Sequence, residues 1–157
     1  MKPLLDYNIE TASWRDLKDL RTLEEECFGV DAWSLWDLIG VLSLPGIFRY
    51  KAVVQEQMAG FVAGDAHPQE NIGWITTIGV RTAFQRQGIA RQLLKTCELA
   101  MNLRFVRLSV ARNNTAALLL YRSEGYYQVD LWKRYYNSGE DALVLEKDRQ
   151  ALDERMR

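Results

Sequence analysis

Cysteine, histidine and proline are all scarce in this chain of 157 residues, which holds two cysteines, one histidine and three prolines. Cys27 and Cys97 stand far apart without a Cys-x-x-Cys spacing, and His67 is the one histidine, so neither a disulfide framework nor a metal site is indicated. Both thiols are expected to be reduced and partly buried. Cys97 falls on the apolar face of a helical pattern, a core position rather than a nucleophile's, and His67 before Pro68 reads as a loop residue. An excess of one charge is missing too: 20 Lys and Arg face 21 Asp and Glu, and the formal net charge is -1. With no like-charged block beyond Glu24-Glu25-Glu26, no nucleic-acid surface is expected, and small molecules or peptides fit better as partners. No apolar run approaches the roughly 18 residues of a membrane helix. Met1 to Asp6 carries no secretory hydrophobic core, so a cytoplasmic protein without a membrane partner is expected. Neither Gly-x-x-x-x-Gly-Lys-Ser/Thr nor Gly-x-Gly-x-x-Gly occurs, which argues against the common nucleotide loops.

What the chain does contain is a sequence of short elements sized for one domain spanning residues 1–157. Leu5 to Thr11 reads as a first strand. Ser13 is placed to cap a helix through Leu17, Leu20, Leu23 and Cys27 to Phe28, ended by Gly29, and Ser34 caps a second helix stopped by Pro45-Gly46. Phe48–Gln55 and Met58–Ala66 alternate as an antiparallel pair around Glu56-Gln57. Asn71–Val80 is a long strand in which Gly79 marks a bulge or a close backbone approach. Ile89, Leu93, Leu94, Cys97, Ala100 and Met101 recur at helical spacing. The strand Phe105–Val110 follows, parallel to Asn71–Val80 through the helical crossover. A helix from Asn114 to about Glu124, strands around Tyr127–Tyr136 and Asp141–Glu146, and a frayed charged tail over 150–157 complete the reading. The fold class is α/β (α+β): a mixed, mostly antiparallel sheet with one central parallel pair, flanked by helices on both faces. Trp14, Trp33, Trp36 and Trp132 are open to three readings: site, interface or core.

The segment Gln85-Arg86-Gln87-Gly88-Ile89-Ala90 lies between the long strand and the strongly periodic helix. The free N–H groups of that helix start carry the positive end of its dipole. Gly88 removes a side chain that would hold a phosphate away, Ala90 is nearly as small, and Arg86 and Arg91 add positive charge, so the loop suits a diphosphate. About twenty residues further on, Asn114-Thr115-Ala116-Ala117-Leu118-Leu119-Leu120-Tyr121 leads into Gly125-Tyr126. The two motifs, in this order and separation, resemble those of the GNAT superfamily of acetyl-coenzyme A dependent N-acetyltransferases, and the order of elements along nearly the whole chain is similar too.

That resemblance implies acetyl transfer from acetyl-CoA to a primary amine, by direct attack within a ternary complex. It implies that the cofactor lies where the strands ending at Val80 and Val110 splay apart. Backbone groups of Ile78, Gly79 and Val80 would then orient the acetyl and pantetheine portion, and the segment Arg86, Gln87, Gly88, Ile89, Ala90 and Arg91 would hold the diphosphate. Asn114 would contact the cofactor as well as cap its helix, and the Tyr121 hydroxyl would stand by the sulfur as the proton donor. Lys133 to Leu145, with Tyr135-Tyr136 and Gly139-Glu140-Asp141-Ala142, is similar to a segment of the RimI-like protein N-terminal acetyltransferases, as is Phe28 with Trp33-Ser34. Phe28, Trp33, Tyr135 and Tyr136 are therefore the candidate substrate-binding residues, and a peptide or protein N-terminal α-amine is the favoured acceptor. The chain departs from that pattern at Ser109, where those enzymes carry a glutamate, and serine cannot serve as the base. A small-molecule amine acetyltransferase acting on polyamines, amino acids or aminoglycosides, and a non-catalytic acyl-CoA binding domain, are the competing readings.

Overall fold

The computed structural model describes residues 5–157. Seven strands form one sheet in the order β1-β2-β3-β4-β5-β7-β6. They are β1 (Asn8–Thr11), β2 (Ile47–Val54), β3 (Gln57–His67), β4 (Ile72–Val80), β5 (Phe105–Ala111), β6 (Tyr127–Trp132) and β7 (Ala142–Asp148). Every neighbouring pair is antiparallel except β4 with β5, so the expected sheet, with its single parallel pair, is present. The helices are α1 (Leu17–Phe28), α2 (Leu35–Ser43), α3 (Ile89–Met101), α4 (Thr115–Ser123) and α5 (Arg149–Arg155).

Two cores cover the two faces of the sheet. On one, Leu20 and Leu23 of α1 and Leu38, Val41 and Leu42 of α2 pack on Phe61 and Ala63 of β3. On the other, Leu93, Leu94, Cys97 and Met101 of α3, with Leu118 and Tyr121 of α4, pack on Val62, Ile75, Val106, Leu108 and Val110. The local signals act as the residue types require. Ser13 and Asp16 form a capping box over the 3₁₀ turn Trp14–Asp16 that leads into α1. Ser34 caps α2 by accepting from the Asp37 amide at 3.2 Å.

Several expectations shift. The first strand begins at Asn8 rather than Leu5. The β2–β3 turn is Gln55-Glu56, both at positive φ (48° and 67°), so the chain adopts a primed hairpin turn without the Asn-Gly that usually supplies it. His67 is the last residue of β3, not a loop residue, and its Nε2 lies 3.1 Å from Asp65 Oδ2. The bulge in β4 is at Thr76, since Ala63 pairs with Thr77 and Gly64 with Ile75. Gly79 instead provides a close approach: a Cβ there would lie 3.2 Å from Cys27 Sγ and 3.3 Å from Leu23 of α1. β6 stops at Trp132, and Tyr135 and Tyr136 belong to the turn after it. The tail at 150–157 holds α5, whose cap Asp148 accepts from the amides of Gln150 and Ala151. Leu152 of α5 lies against Gly125, where a Cβ would come within 2.7 Å.

Among the described residues no helix is long and apolar enough to cross a membrane, and no cluster of His, Cys, Asp or Glu is arranged to hold a metal ion.

Candidate active site

The bulge at Thr76 has a direct consequence for the parallel pair. β4 and β5 are in register only from Ile72–Phe105 to Ile75–Leu108. Beyond that point β4 stays paired with β3, and β5 stays paired with β7. An inserted residue bends and twists the strand that carries it, so the edges Thr76–Val80 and Ser109–Ala111 separate and a gap opens in the middle of the sheet.

Two clefts meet in this gap. The larger, about 620 Å³, runs beside Ile78, Gly79 and Val80 to Arg86, Gly88, Ile89, Ala90 and Arg91, with Ala116, Leu120 and Cys27 along its walls. The smaller, about 200 Å³, is lined by Glu24, Asp31, Trp33, Ser109, Tyr135 and Tyr136. Phe28, Ile78, Asn114, Ala117 and Tyr121 border both. Every candidate binding residue from the sequence except Gln87 thus lines one cleft or the other. Gln87 lies within the same loop, and its side-chain oxygen accepts from the Leu5 amide at 3.5 Å.

The larger cleft offers an anion site at the start of α3. The first hydrogen bond of this helix runs from the Gln92 amide to the Gly88 carbonyl, so the preceding amides have no acceptor inside the helix. Gly88 sits at φ +80°, and a Cβ built on it meets nothing within 4 Å, so the space beside it is open cleft. Arg86 is also left-handed, at φ 62°. Arg91 differs from expectation. Its guanidinium pairs with Glu124 and donates to Ser123 Oγ of α4 at 3.2 Å, leaving its backbone amide as its offering to the cleft. Together the open helix start and the unpaired edge of β4 fit the diphosphate and the amide-bearing arm of coenzyme A.

Tyr121 occupies the seam between the clefts. Its ring is buried and meets Tyr126 edge-on, with ring centroids 5.8 Å apart. Burial pushes its phenol well above the usual range, with Tyr136 adding to the shift, so it keeps its proton throughout the physiological range. Asn114 caps α4 by accepting from the Ala117 amide at 3.2 Å, which fixes the helix that carries Tyr121.

On the other side, the Tyr136 hydroxyl donates to Ser109 Oγ at 3.4 Å. The loops carrying the aromatic residues are tied together: Asn137 Nδ2 donates to the Val30 carbonyl at 3.2 Å, and the Ser138 amide to Asp31 Oδ1 at 2.9 Å. Tyr135 continues outward through Trp132 (5.1 Å) to Trp74 (6.1 Å from Trp132), an aromatic surface leading away from the pocket. Trp33 thus lines the smaller cleft and Trp132 packs beside Tyr135 at its edge, whereas Trp14 and Trp36 are 69% and 79% exposed on the α1–α2 side.

Sequence reasoning missed Glu24. It is only 1% exposed, accepts from the Thr77 hydroxyl at 2.7 Å and from the Trp33 amide at 3.5 Å, and lines the smaller cleft. In the sequence it sits inside Glu24-Glu25-Glu26 and looks like part of a solvated run. The one available signal was helical spacing, which places it on the buried side beside Leu20 and Leu23.

Cys27 borders the larger cleft, yet burial first, and then Glu26 and Glu24, push its thiol up to about 11. At pH 8 only on the order of one molecule in a thousand would carry the thiolate. Cys27→Ser is expected to leave turnover within about two-fold, measured as free coenzyme A released; a loss on the scale of a nucleophile, 10²-fold or more, would reveal a covalent route.

The model of the acetyltransferase (GNAT) family matches residues 8–126. The N-alpha-acetyltransferase RimI of Mycobacterium tuberculosis is 44% identical over 75 residues, which cover 47% of this chain and 48% of that protein. The chain thus matches about half the length of that relative. The N-alpha-acetyltransferase daf-31 of Caenorhabditis elegans is 27% identical over 149 residues, 90% of this chain and 82% of that protein. The crystal structure of the ribosomal-protein-S18-alanine N-acetyltransferase from Escherichia coli superposes with a TM-score of 0.82 at 22% identity, covering 91% of this chain and 94% of that one, a likeness of fold.

Proposed function

Because the chain belongs to the GNAT acetyltransferase family, whose acetyl donor is acetyl-CoA, we propose that it acetylates the α-amine of a peptide or protein N-terminus. The observation that carries this reading is the splayed β4–β5 gap, in which an anion-binding cleft and an aromatic-lined pocket meet at Tyr121. Bound acetyl-CoA supplies an activated acetyl thioester.

The residues divide the work by cleft. Amides from Arg86 through Gln87, Gly88, Ile89 and Ala90 to Arg91 bind the diphosphate, and the free edge of Ile78, Gly79 and Val80 aligns the pantetheine arm as an added strand. Backbone N–H groups near Val80 face the carbonyl oxygen as charge grows on it. Tyr121 holds a proton at the sulfur position and delivers it to the leaving thiolate. Phe28, Trp33, Tyr135 and Tyr136 surround the acceptor, displace water and orient its first residues. The α-amine, with a pKa near 8, carries an appreciable neutral fraction at physiological pH, whereas a lysine amine near 10.4 carries little. The relatives named as N-alpha-acetyltransferases support the same acceptor.

Release of coenzyme A is the direct test, measured across unblocked peptides, the same peptides N-acetylated, polyamines and aminoglycosides, beside calorimetric titration of acetyl-CoA. Turnover is expected on unblocked peptides and on none of the blocked ones. Turnover confined to small amines would overturn the acceptor assignment, and cofactor binding without turnover on any amine would favour an acyl-CoA sensor.

A further inference from the structure

The reaction requires an amine nitrogen freed of its ammonium proton, and Ser109 on β5 supplies no base at neutral pH. A carboxylate reaches the same pocket from another element. Glu24 on α1 lies almost fully buried in the pocket wall, across the gap from Ser109. Thr77 and Trp33 donate to one oxygen each, which leaves acceptor capacity on both. The other titratable groups lining the pocket are Asp31 from the turn after α1, Tyr121 from α4, and Tyr135 and Tyr136 from the turn after β6. Cys27 is close by on α1, and no lysine, arginine or histidine is among the lining residues. Asp31 is engaged in holding the two loops together through the Ser138 amide.

We propose that Glu24 is the proton acceptor for the incoming amine, taking from the α1 side the role that Ser109 cannot fill on β5. The inference rests on the reading that this pocket admits a primary amine. The acceptor arrives as an ammonium ion, and one N–H proton moves to the Glu24 carboxylate, freeing the nitrogen lone pair. That pair forms the nitrogen–carbon bond to the acetyl group while the carbon–sulfur bond breaks. Tyr121 gives its proton to the sulfur, the nitrogen's second proton passes by way of water to restore the Tyr121 phenol, and Glu24 releases its own proton to solvent. The products are one amide, one thiol and one proton.

The surroundings suit this task. A buried carboxylate with no cation beside it is costly, and an arriving ammonium ion is the counter-charge that relieves the cost. Burial raises the Glu24 pKa above the usual carboxylate range, with the Thr77 and Trp33 hydrogen bonds opposing that rise. A base is most effective when its pKa lies near the working pH.

The test compares the pH dependence of kcat/KM for the unaltered protein, Glu24→Gln and Thr77→Val, on an acceptor that the unaltered protein turns over. It is paired with an NMR titration of the Glu24 carboxyl carbon in the coenzyme A complex, with and without that acceptor. Glu24→Gln should lose about 10²-fold or more at pH 6.5, and the gap should narrow toward pH 9, where the α-amine sheds its own proton. Thr77→Val removes a bond that favours the charged form, so it should move the acidic limb to higher pH. In the titration, an unblocked peptide should lower the Glu24 midpoint and its N-acetylated counterpart should leave it in place. A deficit in Glu24→Gln that is the same at every pH, with a native circular dichroism spectrum, would overturn the proposal. So would a midpoint indifferent to the unblocked amine. Should Glu24→Gln not fold, Thr77→Val and the titration of the unaltered protein decide. Failure of the acceptor assignment shows separately, as turnover of a polyamine and no peptide, and the same measurements then apply with the polyamine.

Discussion

Replacing Tyr121 by phenylalanine should lower kcat by roughly 10²-fold, the scale of losing a positioned acid, while acetyl-CoA affinity stays nearly unchanged. The ring does the packing. It contributes to the buried cluster under α4 and meets Tyr126 edge-on, and phenylalanine preserves both contacts. Among the described residues the phenol has no hydrogen-bond partner, so removing the oxygen breaks no bond inside the protein and creates little cavity. Its raised pKa makes a further point testable. Because burial holds the phenol well above its ordinary value, Tyr121 stays protonated as pH rises through 9, and it should impose no basic limb on kcat below that pH. Steady-state kinetics from pH 6 to 9, with the melting temperature as a check on folding, would decide the matter. Equal kcat in the two proteins would remove Tyr121 from the chemistry.

Gly88→Glu should weaken acetyl-CoA binding by about 10³-fold, because a carboxylate held roughly 4 Å from a phosphate costs about 4 kcal/mol at an effective dielectric of 20. The geometry makes the substitution informative. A Cβ on Gly88 touches nothing of the protein within 4 Å, so the new side chain extends into the cleft. It does carry a backbone cost: at φ +80° a residue with a Cβ is strained by about 1–2 kcal/mol. Gly88→Ala brings the same strain without the charge and most of the bulk, and it should bind far more tightly than the glutamate variant. Calorimetric titration of acetyl-CoA into the three proteins separates the effects, and tight binding by Gly88→Glu would refute the placement of the diphosphate at the start of α3.

Much of this protein is legible in its sequence because the relevant forces act locally. Helix caps at Ser13, Ser34 and Asn114, the 3.6-residue periodicity of Ile89–Met101 and the alternation in β2 and β3 depend on neighbours a few residues away. The Arg86–Arg91 loop and the Asn114–Tyr121 motif are legible for the same reason: each is a short pattern at the start of a single helix. These local patterns determined the order of elements, the parallel pair and most of the residues that line the two clefts.

Tertiary structure decided the rest, wherever a residue's role depends on chain that is distant in sequence. The bulge sits at Thr76 rather than Gly79 because it is defined by the register with β3, and the gap follows from where β4 stops pairing with β5. Arg91 turned to Glu124, 33 residues away, so its charge serves α4 more than the cleft. The last residues form α5 because Leu152 finds contact at Gly125. Glu24 changed meaning most: within its acidic run it reads as solvated surface, and only the packing of α1 on β4 buries its carboxylate beside Thr77 in the pocket wall. Local chemistry is set by neighbours along the chain, whereas burial, pairing and the environment of a charge are set by what the fold brings against it.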